Sequence, residues 1–257
     1  METATRTLPR EFRNIDTRTT RVLLVQGGGS LLPGMPEEMG QLAQHNLEEM
    51  GIEVRLNSLV TEVNDLGVVI SDEHVPAENV FWAAGVQGMP IAESMGVELD
   101  RSGRIVVGPD LSIPGFPEAF VIGDAASATD AATGTQVPGV AQGAIQMGRF
   151  VAKIIDQELQ GSNSQERPAF SYRDKGSMAT IGRGKALASV NGRIFSGFLG
   201  WLAWGLVHLL YLVSFRNKVS VLLEWGRNYL VSERSARLIT GDPELKIKKV
   251  RGARMKD

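Results

Sequence analysis

The sequence predicts an α/β fold with an open sheet, followed by an apolar, membrane-associating helical tail. Three observations carry this prediction. Residues 120–148 read as a short strand, a loop of small residues and a helix, and residues 21–56 read as strand, glycine loop, helix and strand. Such alternation is typical of parallel sheets. Residues 194–215 contain no Asp, Glu, Lys or Arg, which is a long enough run to cross or line a bilayer.

Composition indicates a folded protein with a substantial core. Of the 257 residues, 43% are hydrophobic and 22% are charged, which suits one large domain or two modest ones. The net charge of −2 argues against nucleic acid as a partner. The sequence has no cysteine, which excludes disulfides, thiolate zinc sites and electron relay through a cysteine pair. The polar N-terminal stretch does not have the pattern of a secretory signal.

Charge is unevenly distributed along the chain. Residues 216–257 contain 11 Lys and Arg against 5 Asp and Glu, whereas residues 1–215 contain 16 against 24. A basic end on an acidic body favours an anionic surface as partner, and lipid headgroups fit this pattern best.

The first predicted nucleotide-binding element is the apolar strand at residues 21–26, which runs into three glycines at 27–29. In dinucleotide-binding folds, the corresponding strand ends on an acidic residue that contacts the adenosine ribose. That position is Gln26 here. A plain strand-to-loop junction is the alternative.

A helix and several short strands follow. Apolar residues at helical spacing predict a helix over residues 36–50, which Gly51 ends. Strands are predicted at 52–56, 59–63, 67–71 and 79–83, with a hairpin at 104–116. The strand at 79–83 runs into the small residues Ala84 and Gly85, where a tight domain crossover is the simplest interpretation.

The next element centres on Gly123 and Asp124, which end the predicted strand at 120–122. This arrangement places a carboxylate at the carboxyl edge of a sheet, where open α/β folds bind ligands. A helix is predicted from about Pro138 to about Leu159, and the N–H groups of its first turn favour negative charge. Asp124 can hydrogen-bond a polyol and the helix start can stabilise an anion, and a reduced flavin needs both.

This helix carries a polar stripe along one face, formed by Gln142, Gln146, Arg149 and Lys153. A solvated helix face is the ordinary explanation for such a stripe. Residues 160–168 form a predicted polar loop, and short strands and turns are predicted after it.

The apolar run at 194–215 permits two structures. As one helix it extends over roughly 33 Å, enough to span a bilayer. As a hairpin broken near Gly197, Gly200 or Gly205 it lies in the membrane interface. We expect His208, within this run, to be hydrogen-bonded in the packing, and the sequence predicts no metal site. A further amphipathic helix with aromatic anchors is predicted at 219–231.

Residues 120–148 resemble the second flavin-binding segment of the flavoprotein reductases that contain two dinucleotide-binding folds. More narrowly, the chain is similar to the type II NADH:quinone oxidoreductases. Four further stretches carry this resemblance: LPREFRNID at 8–16, WAAGV at 82–86, DKGSMATIGRGKA at 174–186 and the Trp-rich tail from Phe195. The implied fold is an incomplete two-dinucleotide-binding, Rossmann-like flavoprotein fold with a membrane-associating tail. The implied domains are 1–85 for NAD(P), 86–190 for FAD and quinone, and 191–257 for the membrane.

The resemblance also implies an activity and a set of site residues. Hydride passes from NADH to FAD, and two electrons then pass to a membrane quinone without proton pumping. The implied FAD-binding residues are Gly123, Asp124, Val140 and Ala141. The implied NAD(P)H-binding residues are Gln26, Ala84 and Gly85, and the neutral Gln26 leaves NADPH open as a second donor. The family's Ala-Gln-x-x-x-Gln motif falls on Ala141, Gln142 and Gln146 and implies a quinone site at the two glutamines. Lys175 is a further candidate for a quinone oxygen or a flavin carbonyl, although a solvated lysine is the commoner case.

The resemblance implies attachment to the cytoplasmic face of the cell membrane in a monotopic manner, with one transmembrane helix near 194–215 as the alternative. A homodimer is one option that it leaves open. No GxGxxG fingerprint occurs in the sequence, although the family has two. The chain therefore resembles the C-terminal part of such an enzyme. A truncated, catalytically silent membrane-bound fragment or partner subunit is the alternative function.

Overall fold

A computed structural model describes residues 5, 8–11, 14, 16–88, 90–162 and 166–230. The chain forms two compact units. The first unit comprises residues 1–81 and 176–257, and the second unit comprises residues 82–175. The basic end beyond residue 230, which supports the predicted lipid contact, lies outside the described residues.

Six α-helices are present among the described residues, and two 3-10 turns lie at Thr17–Thr19 and Gly123–Ala125. The helices are α1 Leu8–Glu11, α2 Glu37–Glu49, α3 Pro90–Ser94, α4 Ala141–Leu159, α5 Gly197–Tyr211 and α6 Phe215–Leu230. The strands are β1 Val22–Val25, β2 Ile52–Arg55, β3 Val60–Asn64, β4 Gly67–Ile70, β5 Glu73–Pro76, β6 Ile105–Val106, β7 Ser112–Ile113, β8 Phe116–Phe120, β9 Ala126–Ser127, β10 Ser177–Gly182, β11 Lys185–Val190 and β12 Arg193–Phe195. These elements confirm the predicted α/β fold.

The first unit contains the predicted strand–helix–strand segment. β1 pairs in parallel with β2, and α2 connects the two strands. As predicted, α2 ends before Gly51, which has a φ of +77°. A three-stranded antiparallel sheet, β3–β4–β5, follows. The buried side chains of Met39 and Ala43 on α2 pack with Leu187 of β11. The antiparallel sheet β10–β11–β12 therefore packs in this unit, against α2.

The second unit is built around α4. Met147 and Val151 on its buried face pack with Leu111, Ala126 and Phe170. Two small sheets flank this core: β6 pairs in parallel with β9, and β7 pairs with β8 as a hairpin. The helix was predicted from about Pro138 but begins at Ala141, because Val140 is extended and forms its N-cap.

Three strand predictions are wrong. Residues 79–83 form no strand, because their backbone pairs with no strand among the described residues, and Phe81 is 93% exposed. The strand predicted at 120–122 instead ends at Phe120, as β8. The hairpin predicted at 104–116 instead lies at residues 112–120, where β7 pairs with β8, because residues 105–106 pair with β9.

The two units group residues differently from the three predicted domains. The first boundary lies after Phe81 rather than after residue 85, and residues 176–190 pack in the first unit. The tail from Gly197 belongs to the same unit, since α5 packs on β11. Which domain performs which task stays a prediction.

The apolar run forms part of a helical hairpin, but it does not break at a glycine. α5 ends at Tyr211 and α6 begins at Phe215, and Ser214 between them has a φ of +70°. Trp204 stacks on Trp225 with ring centroids 5.2 Å apart. Within the residues described, no helix has both the length and the apolar character needed to cross a membrane. The break between Tyr211 and Phe215 interrupts the single helix that was the alternative over 194–215.

Contacts inside the hairpin explain two of its residues. Nδ1 of His208 lies 2.7 Å from the carbonyl oxygen of Trp204, which confirms the predicted hydrogen bond, although the side chain is exposed rather than packed inside. Gly200 lies where α5 meets β11, and a Cβ at this position would lie 2.4 Å from the carbonyl oxygen of Ala186. Glycine is therefore required for this approach of helix to strand.

Candidate functional site

The loop after β8 meets the start of α4 in the second unit. Gly123 has a φ of +68°, and its N–H donates to the sulfur of Met147 on α4 at 3.1 Å. A Cβ on Gly123 would lie 3.2 Å from Cβ of Ala144, so a larger residue would strain this contact as well as the backbone. The loop and helix are therefore fixed to each other. We call this place the Gly-Asp corner.

Asp124 lies at this corner with an exposed side chain. A Cβ on Gly139 would lie 3.5 Å from its carboxylate oxygen, so the glycine leaves space beside the carboxylate. No side chain caps α4 at Val140, and Val140 and Ala141 are both exposed. The structure thus brings together the four residues predicted to bind FAD, with backbone donors at a helix start and a carboxylate beside them.

The corner suits one part of FAD. A carboxylate accepts hydrogen bonds from hydroxyl groups such as those of a ribityl chain, and a helix start favours a negatively charged group. The sequence contains no GxGxxG turn to hold the pyrophosphate. The residues of this chain therefore fit the flavin side of the cofactor and leave its diphosphate without that turn.

Gln142 and Gln146 lie in the first two turns of α4, next to the corner, and both are half-buried. Nε2 of Gln146 donates to the carbonyl oxygen of Arg173 at 3.0 Å, and the Arg173 N–H donates back to its Oε1 at 3.0 Å. Gln142 contacts Asp174 and Lys175. Arg149 and Lys153, further along the predicted stripe, are exposed. The predicted stripe therefore has two parts: two half-buried glutamines that contact residues 173–175, and two exposed cationic side chains.

Tyr172, which precedes these contacts, is held by Asp130. Asp130 is buried, and its carboxylate accepts from the Tyr172 N–H at 2.9 Å and from the Thr133 hydroxyl at 2.6 Å. The hydrogen bond from the Thr133 hydroxyl is the main cause that keeps the pKa of Asp130 well below its usual range, and the bond from the Tyr172 N–H adds to it. The sequence analysis missed Asp130, although an Asp two to three residues before small polar residues is a turn signal.

The Tyr172 hydroxyl is buried and has no hydrogen-bond partner among the described residues. Burial, and then the negative charge of Asp174, raise the pKa of Tyr172 to about 12. Tyr172 therefore stays neutral at physiological pH.

Arg167 forms a charged cluster at the start of the same segment, which we call the Arg167 clamp. Its guanidinium pairs with Asp110 at 2.9 Å and with Glu158 at 2.7 Å, and it lies 4.7 Å from the ring centre of Phe120. The side chain of Arg167 is only 8% exposed. The sequence analysis assigned this residue to a polar loop.

Hydrogen bonds within the clamp shift its pKa values. Burial alone would raise the pKa of Asp110, but the hydrogen bonds from Arg167 and Ser112 together outweigh it and lower that pKa. The hydrogen bond with Glu158 is the main cause that raises the pKa of Arg167. Burial opposes this effect, and the hydrogen bond with Asp110 adds to it. Asp110 and Arg167 are therefore both charged at neutral pH.

The residues predicted to contact NAD(P)H lie in both units. Gln26 follows β1 in the first unit, and its Nε2 donates to the carbonyl oxygen of Ser30 at 3.3 Å, across the glycine loop. Ala84 and Gly85 belong to the second unit, are exposed and form no regular element. Gly85 has a φ of +107°, a conformation that favours glycine.

A parallel strand–helix–strand segment is a feature of dinucleotide-binding α/β proteins, and such proteins bind phosphate groups at helix starts. Comparisons with known proteins agree. The profile of the pyridine nucleotide-disulphide oxidoreductases matches residues 8–148, and that of the NDH2 C-terminal domain matches residues 175–234. The chain belongs to the pyridine nucleotide-disulphide oxidoreductase family, in its type II NADH:quinone oxidoreductase branch.

Individual relatives support this assignment. The type II NADH:quinone oxidoreductase Ndh of Mycobacterium tuberculosis is 42% identical over 248 residues, covering 93% of this chain and 52% of the relative. The NdhA protein of the same organism is 39% identical, with the same coverage of each chain. The type II NADH:quinone oxidoreductase of Staphylococcus haemolyticus is 32% identical over 71% of this chain and 46% of its own. The chain thus spans about half the length of the relatives it matches.

The fold is also found in a solved structure. The structure of NDH2 from Plasmodium falciparum in complex with NADH has a TM-score of 0.80, at 13% identity, over 90% of this chain and 62% of that one. The reduced Bacillus anthracis CoADR-RHD has a TM-score of 0.54 over 67% of this chain and 30% of its own, at 21% identity. At these identities the likeness concerns the fold alone.

Proposed function

We propose that this chain supplies the flavin-facing and quinone-facing part of an FAD-dependent NADH:quinone oxidoreductase. The observation that carries the proposal is the Gly-Asp corner, with Gln142 and Gln146 beside it on α4. The similarity to the two M. tuberculosis relatives, each described as a type II NADH:quinone oxidoreductase, supports it.

Each group at the corner has a distinct task in this proposal. Bound FAD supplies the redox chemistry between NADH and a membrane quinone. Asp124 accepts hydrogen bonds from the ribityl hydroxyls, and Gly139 leaves the space for them. The start of α4, at Val140 and Ala141, favours negative charge on the group placed before it. Gly123 keeps the loop close to the helix and so fixes the distance between these groups.

In this proposal the adenosine ribose of the electron donor contacts Gln26, which follows β1 in the first unit. Gln26 is neutral, so it does not repel the additional phosphate of NADPH as a carboxylate would. NADPH is therefore a second donor beside NADH. The absence of side-chain bulk at Ala84 and Gly85 permits close approach of a planar ring.

Complementation tests the proposal. The 257-residue chain is prepared alone and fused to the N-terminal portion of the M. tuberculosis relative that it does not cover. The fusion should retain yellow flavin through gel filtration and oxidise NADH with a soluble quinone. The chain alone should bind flavin weakly or not at all, because its sequence lacks the turn that neutralises the pyrophosphate.

Asp124→Asn in the fusion is the matched variant, since it keeps the size of the side chain. It should lower flavin retention while the far-ultraviolet circular dichroism stays unchanged. A folded fusion that retains no flavin would overturn the proposal. Stoichiometric flavin on the chain alone would overturn the expectation about the pyrophosphate turn.

The helical hairpin α5–α6 attaches the protein to a bilayer surface, on the cytoplasmic face and without spanning it, in the same proposal. Leu202, Leu206 and Leu210 recur at helical spacing on α5 and are between 52% and 62% exposed. An apolar face of this kind, with aromatic residues beside it, suits the membrane interface.

Binding to vesicles tests the hairpin. Deleting everything after Val190 is unsuitable, because β12 and α5 cover β11 in the first unit. Leu206→Glu should instead reduce co-sedimentation with phosphatidylcholine–phosphatidylglycerol vesicles. Leu66→Glu is the control, because Leu66 is 72% exposed in a turn outside the hairpin. Equal binding by both variants would place the membrane contact elsewhere.

A further inference from the structure

Gln146 contacts the backbone of Arg173 in the manner of a neighbouring β-strand. Its carboxamide donates to the carbonyl oxygen of Arg173 and accepts from the N–H of the same residue, both at 3.0 Å. Each carboxamide has two N–H groups and two lone pairs. One donor and one acceptor of Gln146 are therefore used by the protein itself.

Gln142, one turn earlier on the same face of α4, contacts the next two residues. Its Oε1 accepts from the Lys175 N–H at 3.2 Å, and its Nε2 donates to Oδ1 of Asp174 at 3.3 Å. Two glutamines at i and i+4 thus hold three consecutive residues. We call this arrangement the amide latch: the side chains of Gln142 and Gln146 with residues 173–175.

The held segment needs such partners, because residues 171–176 form neither helix nor strand. Backbone N–H groups without a regular neighbour must find acceptors elsewhere. Asp130 serves Tyr172, and the two glutamines serve Arg173 and Lys175. Without the latch, residues 173–175 would lose these four hydrogen bonds to α4.

We propose that Gln142 and Gln146 are positioning residues, which act on quinone reduction by fixing the backbone of residues 173–175 beside the start of α4. This inference rests on the proposed function and changes the role expected from the sequence, in which the two amides contact quinone themselves. The segment carries the exposed side chains of Arg173, Asp174 and Lys175. Displacement of such groups by a fraction of an ångström lowers rates because reacting groups are no longer aligned.

Hydrogen exchange of the intact chain measures the latch without any activity. Gln146→Ala should speed exchange of the Arg173 amide, and Gln142→Ala that of the Lys175 amide, each roughly fivefold or more. Gln146→Glu keeps the acceptor but not the donor, so it should protect the Arg173 amide partly. Arg149→Ala, an exposed change on the same helix, should alter neither amide.

A reversed pair gives a second, independent test. Gln142→Glu alone places two carboxylates opposite each other, at the contact that Gln142 now makes with Asp174. Combining Gln142→Glu with Asp174→Asn exchanges the carboxylate and the amide, so the donor is on the other side. The double variant should regain slow exchange at Lys175 that the single variant loses.

Kinetics of the fusion protein then connect the latch to quinone. Gln146→Ala should lower quinone turnover about 10- to 100-fold, while reduction of the enzyme by NADH changes less than about twofold. The double variant should recover quinone turnover relative to Gln142→Glu. If Gln142 only bound quinone directly, exchanging the amide and the carboxylate between positions 142 and 174 would not restore quinone turnover.

The outcomes separate the two proposals. An unsubstituted fusion without quinone turnover overturns the proposed function, whatever the exchange data show. Normal turnover in the fusion, lost in Gln146→Ala with the Arg173 amide still protected, overturns the latch and returns the glutamine to direct contact. Faster exchange with unchanged quinone turnover also overturns the positioning role.

Discussion

The Arg167 clamp and the amide latch hold opposite ends of one segment, residues 166–175, by different chemistry. The clamp joins a buried guanidinium to two carboxylates. The latch joins two neutral, half-buried carboxamides to the backbone of Arg173 and Lys175 and to the side chain of Asp174. The same stretch of chain is thus fastened by charge at its beginning and by neutral amides at its end.

The charged end of the segment should contribute more to stability than the neutral end. Removing one member of a buried ion pair leaves an uncompensated charge, which costs far more than a lost neutral hydrogen bond. A neutral amide near solvent adds little to stability but specifies a position through paired donors and acceptors. We therefore expect the clamp to control the free energy of unfolding and the latch to control the geometry beside the Gly-Asp corner.

The largest effect is expected for Arg167→Ala. The substitution leaves Asp110 and Glu158 facing each other without a cation, so the free energy of unfolding should fall by about 2–4 kcal/mol. Denaturant-induced unfolding measures it. Arg149→Ala, on an exposed site of the same helix as Glu158, should stay within about 0.5 kcal/mol. A loss below about 1 kcal/mol at Arg167 would show that the clamp contributes no more than a surface pair.

A smaller effect on stability is expected at the latch. Gln146→Ala removes two neutral hydrogen bonds to Arg173, and water can replace them in part, so the free energy of unfolding should fall by about 0.5–1.5 kcal/mol. Denaturant-induced unfolding again measures this change in the free energy of unfolding. Should Gln146→Ala destabilise the protein more than Arg167→Ala, the comparison between the two fastenings is wrong.

Acid should loosen the clamp. The pKa of Asp110 lies below its ordinary value of 3.8 in the folded protein. Its contribution is therefore present above that value and is lost as pH falls through the folded pKa. The free energy of unfolding should decrease below about pH 4, less steeply in Arg167→Ala than in Gln146→Ala. Identical pH slopes for the two variants would contradict this assignment.

The smallest effect is expected at Gln26, whose amide also holds a backbone carbonyl, that of Ser30. Gln26→Glu places a carboxylate there, which should disfavour NADPH and lower its kcat/KM relative to NADH by roughly fivefold in the fusion. The ratio of the two kcat/KM values is the measurement. An unchanged ratio would show that Gln26 serves only the glycine loop.

Local sequence patterns predicted the parts of the fold that depend on near neighbours. The helical spacing of Met39 and Ala43, with Gly51 after it, predicted α2 within two residues, and the strands β1 and β2 on either side followed. Residues 79–83 have a strand-like composition, but a strand also needs a hydrogen-bonded neighbour, which composition does not reveal.

The clamp was beyond sequence reasoning because its partners are far apart along the chain. Arg167 and Asp110 are separated by 57 residues, and only the fold brings them together. For the latch, the sequence predicted the placement of the two glutamines but not their partners. The spacing of Gln142 and Gln146 placed both on one face of a helix, but their partners lie 27 to 33 residues further on. A signal was present in the stripe, whose first two members are neutral and whose next two, Arg149 and Lys153, are cationic.

The stacked indoles of the helical hairpin also give the protein an optical reporter. The chain has four tryptophans, of which Trp201, Trp204 and Trp225 lie on α5 or α6, and Trp82 alone lies in the second unit. Intrinsic fluorescence therefore comes mainly from the hairpin, and Trp82→Phe would confine it there. Because Trp204 and Trp225 are stacked, any separation of the two helices changes the surroundings of both emitters at once. The spectrum then follows one helix pair, with no dye attached.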